Sequence, residues 1–147
     1  MHGLVVQKLI ETCLSKQLLV RGATSVGKYN TKQSVFVGPA IDEAAAWHEM
    51  GQEVGVFLTP STLFKYRSNL DSAGMFIERT MKFKGQELPT YCVLWRDDRN
   101  NFTRIAEKQS PISPDIANKY INTIKYLKEL KNKGKDVSER SFYQQLD

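Results

Sequence analysis

Patterns typical of helices alternate with patterns typical of strands from residue 3 to residue 95. Apolar residues recur at helical spacing over 3–16, whereas short apolar runs rich in valine, leucine and phenylalanine mark strands further along. Helices are predicted over 3–16, 38–50 and 60–70, and strands over 18–29, 35–37, 54–58, 75–83 and 91–95. Residues 30–34 and 97–111 are polar and are predicted as a turn and a connector. The alternation predicts a mixed fold that we assign to the α+β class.

A further helix is predicted near the C-terminus. Ser113 is a candidate N-cap, Pro114 suits the first helical position, and Asp115 falls in the first turn. Gly134 is a plausible stop. The apolar positions then recur in steps of three and four and form one stripe of Ala117, Tyr120, Ile121, Ile124, Leu127 and Leu130. We predict an amphipathic helix that packs on the protein through this stripe, with its lysines on the opposite, solvated face.

The positive charge of the chain is concentrated in that helix. The formal net charge is +5, and residues 116–135 alone hold six lysines against Glu129. The lysines are Lys119, Lys125, Lys128, Lys131, Lys133 and Lys135. A nucleic-acid interface remains one hypothesis for this segment. No arginine accompanies these lysines, which favours a solvated helix face over a nucleic-acid partner.

Length and composition exclude several classes of protein. The 147 residues suit one domain, and no apolar run approaches the length of a membrane span. Cys13 and Cys92 are the two cysteines, too few for a disulfide framework or a four-cysteine zinc site. We therefore expect a reduced, cytoplasmic chain without a transmembrane segment.

Residues 22–28 match the spacing of a phosphate-binding P-loop, G-x-x-x-x-G-K. That chemistry needs a Ser or Thr after the lysine and a helix that begins there, so that backbone N–H groups face the phosphates. Tyr29 follows Lys28 instead, and the next residues are polar and turn-like. We interpret this stretch as a β-turn or hairpin that uses its glycines, Gly22 and Gly27, for backbone freedom.

Candidate catalytic and metal-binding residues are few. His2 and His48 are the two histidines, and no spacing typical of metal ligands is present. The acidic pair Asp97-Asp98 lies in a turn-like stretch, where such residues usually hydrogen-bond their own backbone. No nucleophile elbow of the G-x-S-x-G type occurs.

Several segments in succession resemble the class III nucleotidyl (adenylate and guanylate) cyclase family, especially its divergent bacterial and prophage branch. Residues 19–28 are similar to the R-x-G strand of that family, residues 37–45 to the G-x-x-V-N-x-A helix start, and residues 54–61 to the following strand that ends in Ser. Residues 81–93 resemble its closing K-G hairpin. The resemblance implies a partial ferredoxin-like, cyclase-type sheet of four or five strands with flanking helices. It covers a truncated domain at 1–96, while the connector and basic helix at 97–147 lie outside it.

The resemblance also implies roles for individual residues. Lys84 matches the K-G lysine, which contacts nucleotide phosphates in some members, and Asp42 falls where the family has a ribose-orienting Asn. A surface lysine and a helix N-terminal acid are the alternative interpretations of these two positions. Ala46 falls where many members have the transition-state Arg. Cyclase catalysis by this chain alone is therefore not expected.

The metal-binding aspartates of the family precede the region that this chain resembles. Glu11 is the only acidic residue before Asp42, so no upstream pair is expected to hold Mg²⁺. We expect a cyclase-like domain that acts as a homodimer or with a partner chain, because loss of the first strands would leave an open sheet edge and an uncovered apolar face over 18–26. The alternative is a nucleotide-binding subunit that takes a nucleoside triphosphate and Mg²⁺ once a cyclase partner supplies the metal site.

Overall fold

The structure is a computed structural model that describes residues 1–70, 74–95, 99–109 and 112–132. Four predicted features lie outside the described residues: the Asp97-Asp98 turn, the end of the connector at 110–111, the stop at Gly134, and the last lysines, Lys133 and Lys135.

The described residues form an α+β fold, as predicted, and their sheet is consistent with a partial ferredoxin-like arrangement. The elements in chain order are α1 (His2–Ser15), β1 (Arg21–Thr24), β2 (Asn30–Lys32), β3 (Val35–Val37), α2 (Pro39–Met50), β4 (Gly55–Leu58), α3 (Pro60–Leu70), β5 (Phe76–Phe83), β6 (Gln86–Val93), α4 (Arg99–Lys108) and α5 (Pro114–Asn132).

Four strands form the main sheet in the order β1-β4-β6-β5. β1 runs parallel to β4, with Arg21 opposite Gly55, whereas β6 is antiparallel to both β4 and β5. The strands β2 and β3 form a separate antiparallel pair. Within the described residues β1 pairs with β4 alone, so its other side is a sheet edge.

Proline and glycine mark the ends of α2, as the sequence predicts. Pro39 occupies the first turn, and Gly51 follows the last helical residue. Gly38, before the helix, has φ +136° and passes close to the chain at residues 28 and 29. A Cβ at Gly38 would lie 2.9 Å from the carbonyl oxygen of Lys28, so both the backbone angle and the space require glycine there.

Helices cover both faces of the sheet and enclose one main hydrophobic core. Alternation along β5 places Met81 and Phe83 on the face of α2, where the rings of Trp47 and Phe83 lie 5.4 Å apart edge to face. On the opposite face Leu58 and Tyr91 pack with α3 in a smaller cluster. The main core draws on both α1 and α5, so residues from the predicted segments 1–96 and 97–147 are packed together.

The prediction of a polar connector over 97–111 is wrong, because residues 99–108 form α4. Phe102 and Ile105, three residues apart, are 0% and 2% exposed, and the ring of Phe102 packs 6.0 Å from that of Tyr120 on α5. These two apolar residues are too few to stand out from a polar sequence, and their burial comes from packing against α5.

Strand boundaries also differ from the prediction. β1 covers residues 21–24 rather than 18–29, and the predicted turn at 30–34 contains β2. β6 begins at Gln86 instead of Tyr91 and includes Pro89, opposite Thr80. β4 and β6 are paired only at Phe57 and Cys92. Pro89 lies outside this pairing, so its lack of a backbone N–H removes no hydrogen bond to β4.

The buried face of α5 is rotated from the predicted stripe. Tyr120, Leu127 and Leu130 are buried as expected, but Ile121 is 51% exposed. Lys119, predicted on the solvated face, is buried. Lys125 and Lys128 are exposed, as predicted.

Candidate functional site

The two residues that the resemblance singles out lie at opposite ends of α2. Asp42 is exposed in the first turn, where its backbone N–H donates to the Gly38 carbonyl at 3.0 Å. Lys84 is exposed in the turn between β5 and β6, and its N–H donates to the carbonyl of Met50, the last residue of α2, at 2.9 Å. The eight residues between Asp42 and Met50 span about 12 Å of helix. The structure does not bring Asp42 and Lys84 into one site.

Lys84 instead lies beside the turn that joins α2 to β4. Arg21, at the start of β1, reaches the same turn, and its Nη2 donates to the carbonyls of His48 at 3.1 Å and Gly51 at 2.9 Å. The guanidinium thereby satisfies two carbonyls at the negative end of α2. Two cations from distant parts of the sequence are therefore anchored on one short segment.

The first half of α5 contacts that segment from another side. The Nδ2 of Asn122 donates to the Gln52 carbonyl at 3.0 Å, and the Nδ2 of Asn118 donates to the Gln52 side-chain oxygen at 3.4 Å. One turn earlier, the ammonium of Lys119 donates to the carboxylate of Asp115. The Lys119 side chain is 7% exposed, whereas that of Asp115 is 59% exposed.

The Asp115 carboxylate therefore contacts Lys119 directly and is influenced by two further positive charges, those of Lys84 and Arg21. The hydrogen bond from Lys119 is the main cause that lowers the pKa of Asp115, and the charges of Lys119, Lys84 and Arg21 lower it further. Burial lowers the pKa of Arg21, while the charge of Asp115 acts in the opposite direction. We call Arg21, Lys84 and Lys119 the cation cluster. Of its members, the sequence singles out only Lys84.

A network of hydroxyl groups fills the carboxyl ends of the parallel strands β1 and β4. Ser61, in the first turn of α3, has its hydroxyl 3.3 Å from the Val26 carbonyl and 3.2 Å from the Thr59 hydroxyl. Glu43 accepts from both the Ser61 hydroxyl and the Ser61 N–H. The Glu43 carboxylate thus caps the N-terminus of α3.

The P-loop-like stretch ends in a different structure from a P-loop. Lys28 is followed by strand β2 rather than by a helix, so no helix N-terminus follows the lysine. The interpretation of residues 22–28 as a β-turn or hairpin is wrong for the first three residues, which belong to β1, and neither Gly22 nor Gly27 adopts a positive φ.

The small sheet of β2 and β3 exposes a patch of large apolar side chains. The patch, which we call the hairpin surface, consists of Tyr29, Val35, Phe36, Val37 and Ile41, which are 58%, 60%, 56%, 54% and 37% exposed. Lys28, just before β2, and Lys32, at its end, are exposed, as are Asp42 and Glu49 on helix α2.

A polar cleft of about 400 Å³ separates β5 from α5. At its base Arg79 forms a bidentate ion pair with Glu53, which is 2% exposed, and the guanidinium stacks 3.8 Å from the centre of the Tyr126 ring. Both charged groups are engaged with each other, so the base of the cleft stabilises the contact between the sheet and α5.

Residues 1–70, 74–95, 99–109 and 112–132 contain no group of three or more His, Cys, Asp or Glu side chains able to hold a metal ion. None of the helices in these ranges combines the length and apolar composition needed to cross a membrane. Comparison with protein-family models, with curated proteins and with solved structures finds no match to this chain.

Proposed function

We propose that this chain is a nucleotidyl-cyclase-like domain that does not catalyse cyclisation alone and acts by association, in the first place with a second copy of itself. The observation that carries the proposal is the hairpin surface. Three consecutive residues of β3, Val35, Phe36 and Val37, are each more than half exposed in a strand that pairs with β2 alone among the described strands. Because successive strand side chains point to opposite faces, the hairpin exposes large apolar groups on both faces, which is typical of an interaction surface.

The charges around the patch support a second copy as the partner. A two-fold interface places the same surface on both chains, so it must be complementary to itself. Lys28, two residues before β2, and Lys32, at its end, supply exposed positive charges, and Asp42 and Glu49 supply exposed negative charges on α2. A two-fold contact whose axis passes between these groups pairs the lysines of one copy with the acids of the other.

The test is the mass of the chain in solution at micromolar concentration, measured by light scattering after size exclusion. We expect a dimer for the unsubstituted protein and a monomer for Phe36→Glu, because a carboxylate at the centre of the patch would be buried without a partner. Phe64→Glu is the matched control, since Phe64 on α3 is 88% exposed and lies outside the patch. A folded monomer without substitution, or a dimer that survives Phe36→Glu, would contradict the proposal.

Nucleotide binding is the second candidate function, and the cation cluster favours it. Arg21 binds the Gly51 carbonyl, the backbone of Lys84 binds that of Met50, and α5, which carries Lys119, binds that of Gln52, so three elements with positive charges meet at one short segment. A nucleoside triphosphate with Mg²⁺ supplies anionic oxygens that such a cluster can bind. We expect thermal stabilisation by at least one of the four nucleoside triphosphates, lost in Lys84→Ala and retained in Lys125→Ala. No stabilisation by any of the four would contradict this function.

A further inference from the structure

We infer that Asp115 is an internal competitor for the cation cluster, so that helix α5 regulates the binding of a phosphate-bearing ligand at Arg21, Lys84 and Lys119. This inference rests on the nucleotide-binding function proposed above and adds a regulatory residue to it. The carboxylate of Asp115 accepts a hydrogen bond from Lys119, and the elements that carry Arg21 and Lys84 bind the same short segment as α5. An anionic oxygen of a ligand would require the same donors.

A local explanation accounts for only part of this arrangement. An acid in the first turn of a helix is favoured by the helix dipole, and an Asp followed by Lys four residues later is a stabilising pair. Those two effects explain the contact between Asp115 and Lys119. They do not explain why Arg21 and Lys84, which belong to other elements, are anchored at the same place.

The anchoring contacts fix this convergence in the fold. Arg21 binds the carbonyl of Gly51, the backbone N–H of Lys84 binds the carbonyl of Met50, and α5 binds Gln52 through Asn118 and Asn122. Three consecutive residues of the α2–β4 turn therefore hold β1, the K-G-like turn and α5 together. These elements bring Arg21, Lys84 and Lys119 to the region of the ion pair between Asp115 and Lys119.

The difference in burial between the two paired side chains makes exchange of anions possible. The Asp115 side chain is 59% exposed and can rotate into solvent without moving the backbone. The Lys119 side chain is 7% exposed and stays in place, so its ammonium requires a new anionic partner once Asp115 has left. A ligand phosphate can supply that partner.

The experiment measures the affinity of the full chain for inorganic pyrophosphate by titration calorimetry at low ionic strength. We expect Asp115→Asn to bind about tenfold more tightly than the unsubstituted protein, because the competing carboxylate is gone. Adding Lys84→Ala to this variant should reverse the gain. Asp115→Ser, which keeps a residue favoured near helix starts, repeats the test if the asparagine variant folds poorly, and Asp115→Glu should retain the original affinity.

Glu129→Gln controls for net charge, since it removes one negative charge from the same helix about four turns further on. It should leave the affinity within about twofold. Equal gains in Asp115→Asn and Glu129→Gln would overturn the inference, as would equal affinities of Asp115→Asn and the unsubstituted protein. If Asp115→Asn and the unsubstituted protein bind pyrophosphate equally well, the nucleotide-binding function is still supported and only the role of Asp115 is excluded. No pyrophosphate binding by any variant, together with no stabilisation by nucleotides, would overturn both.

Discussion

The backbone N–H of Val54 donates a 2.8 Å hydrogen bond to the hydroxyl oxygen of Thr123. Val54 immediately precedes β4 at the centre of the protein, and Thr123 lies in the middle of α5 and is 0% exposed. The Thr123 hydroxyl donates in turn to the carbonyl of Lys119 at 2.8 Å. The C-terminal helix is therefore joined to the sheet by a buried polar contact as well as by apolar packing.

Substitution of Thr123 by valine should show how much this hydrogen bond contributes to the free energy of unfolding. Valine has nearly the same shape but leaves the Val54 N–H without an acceptor in a buried position, which costs about 1–3 kcal/mol of unfolding free energy. Urea denaturation followed by circular dichroism measures the change. Thr12→Val, at an exposed position of α1, should change stability by less than about 0.5 kcal/mol. Equal stability of the two variants would show that the buried bond contributes nothing.

The ion pair between Glu53 and Arg79 should be far more important to stability than the pair between Glu87 and Lys82. Glu53→Ala removes both carboxylate oxygens that accept from the Arg79 guanidinium and the acceptor of the Lys82 N–H, leaving a largely buried charge without its counter-ion. We expect a loss of about 3–5 kcal/mol in urea denaturation. Glu87→Ala breaks a 3.5 Å pair whose side chains are about half exposed and should cost less than about 1 kcal/mol. A similar loss in both variants would refute this assignment.

Elements bounded by local signals could be predicted from the sequence. The proline at the start of α2 and the glycine after it fix a boundary within a few residues, and Pro60 and Pro114 do the same for α3 and α5. Helix α4 lacks such a combination of signals, and its few apolar residues are buried by a helix that follows it. Its helical state therefore depends on tertiary packing, which a local pattern does not contain.

The candidate site could be predicted only in part. Lys84 was found through a resemblance, but Arg21, Asp115 and Lys119 come together because three elements meet at the α2–β4 turn. Contacts between residues so far apart in sequence leave no periodic signal. The burial of Lys119 has the same cause, since a lysine on a basic helix is ordinarily assigned to solvent until the packing of its neighbours is known.

The two cysteines should differ sharply in reactivity. Burial raises the pKa of the Cys92 thiol to about 11, although the nearby Arg79 acts to lower it, so little thiolate forms near pH 8. Cys13 is partly exposed. Titration with an aromatic disulfide reagent at pH 8 should modify one thiol rapidly and the second only after denaturant is added. Cys13→Ser should abolish the rapid phase, and two rapid equivalents in the native protein would contradict the burial of Cys92.

The contribution of Asp115 to stability should disappear in acid. Its hydrogen bond from Lys119 and the positive charges of Lys119, Lys84 and Arg21 lower the pKa of the carboxyl below its ordinary value. A carboxyl whose pKa is lower in the folded state stabilises the protein above its unfolded pKa, and this stabilisation is lost as pH falls through the folded pKa. Asp115→Asn should therefore lower the melting temperature at pH 7 and have a shrinking effect from about pH 4 downward. Added salt should reduce the effect at pH 7, because the carboxylate is exposed. A difference in melting temperature that stays constant from pH 7 to pH 3 would show that the substitution acts through helix propensity and not through charge.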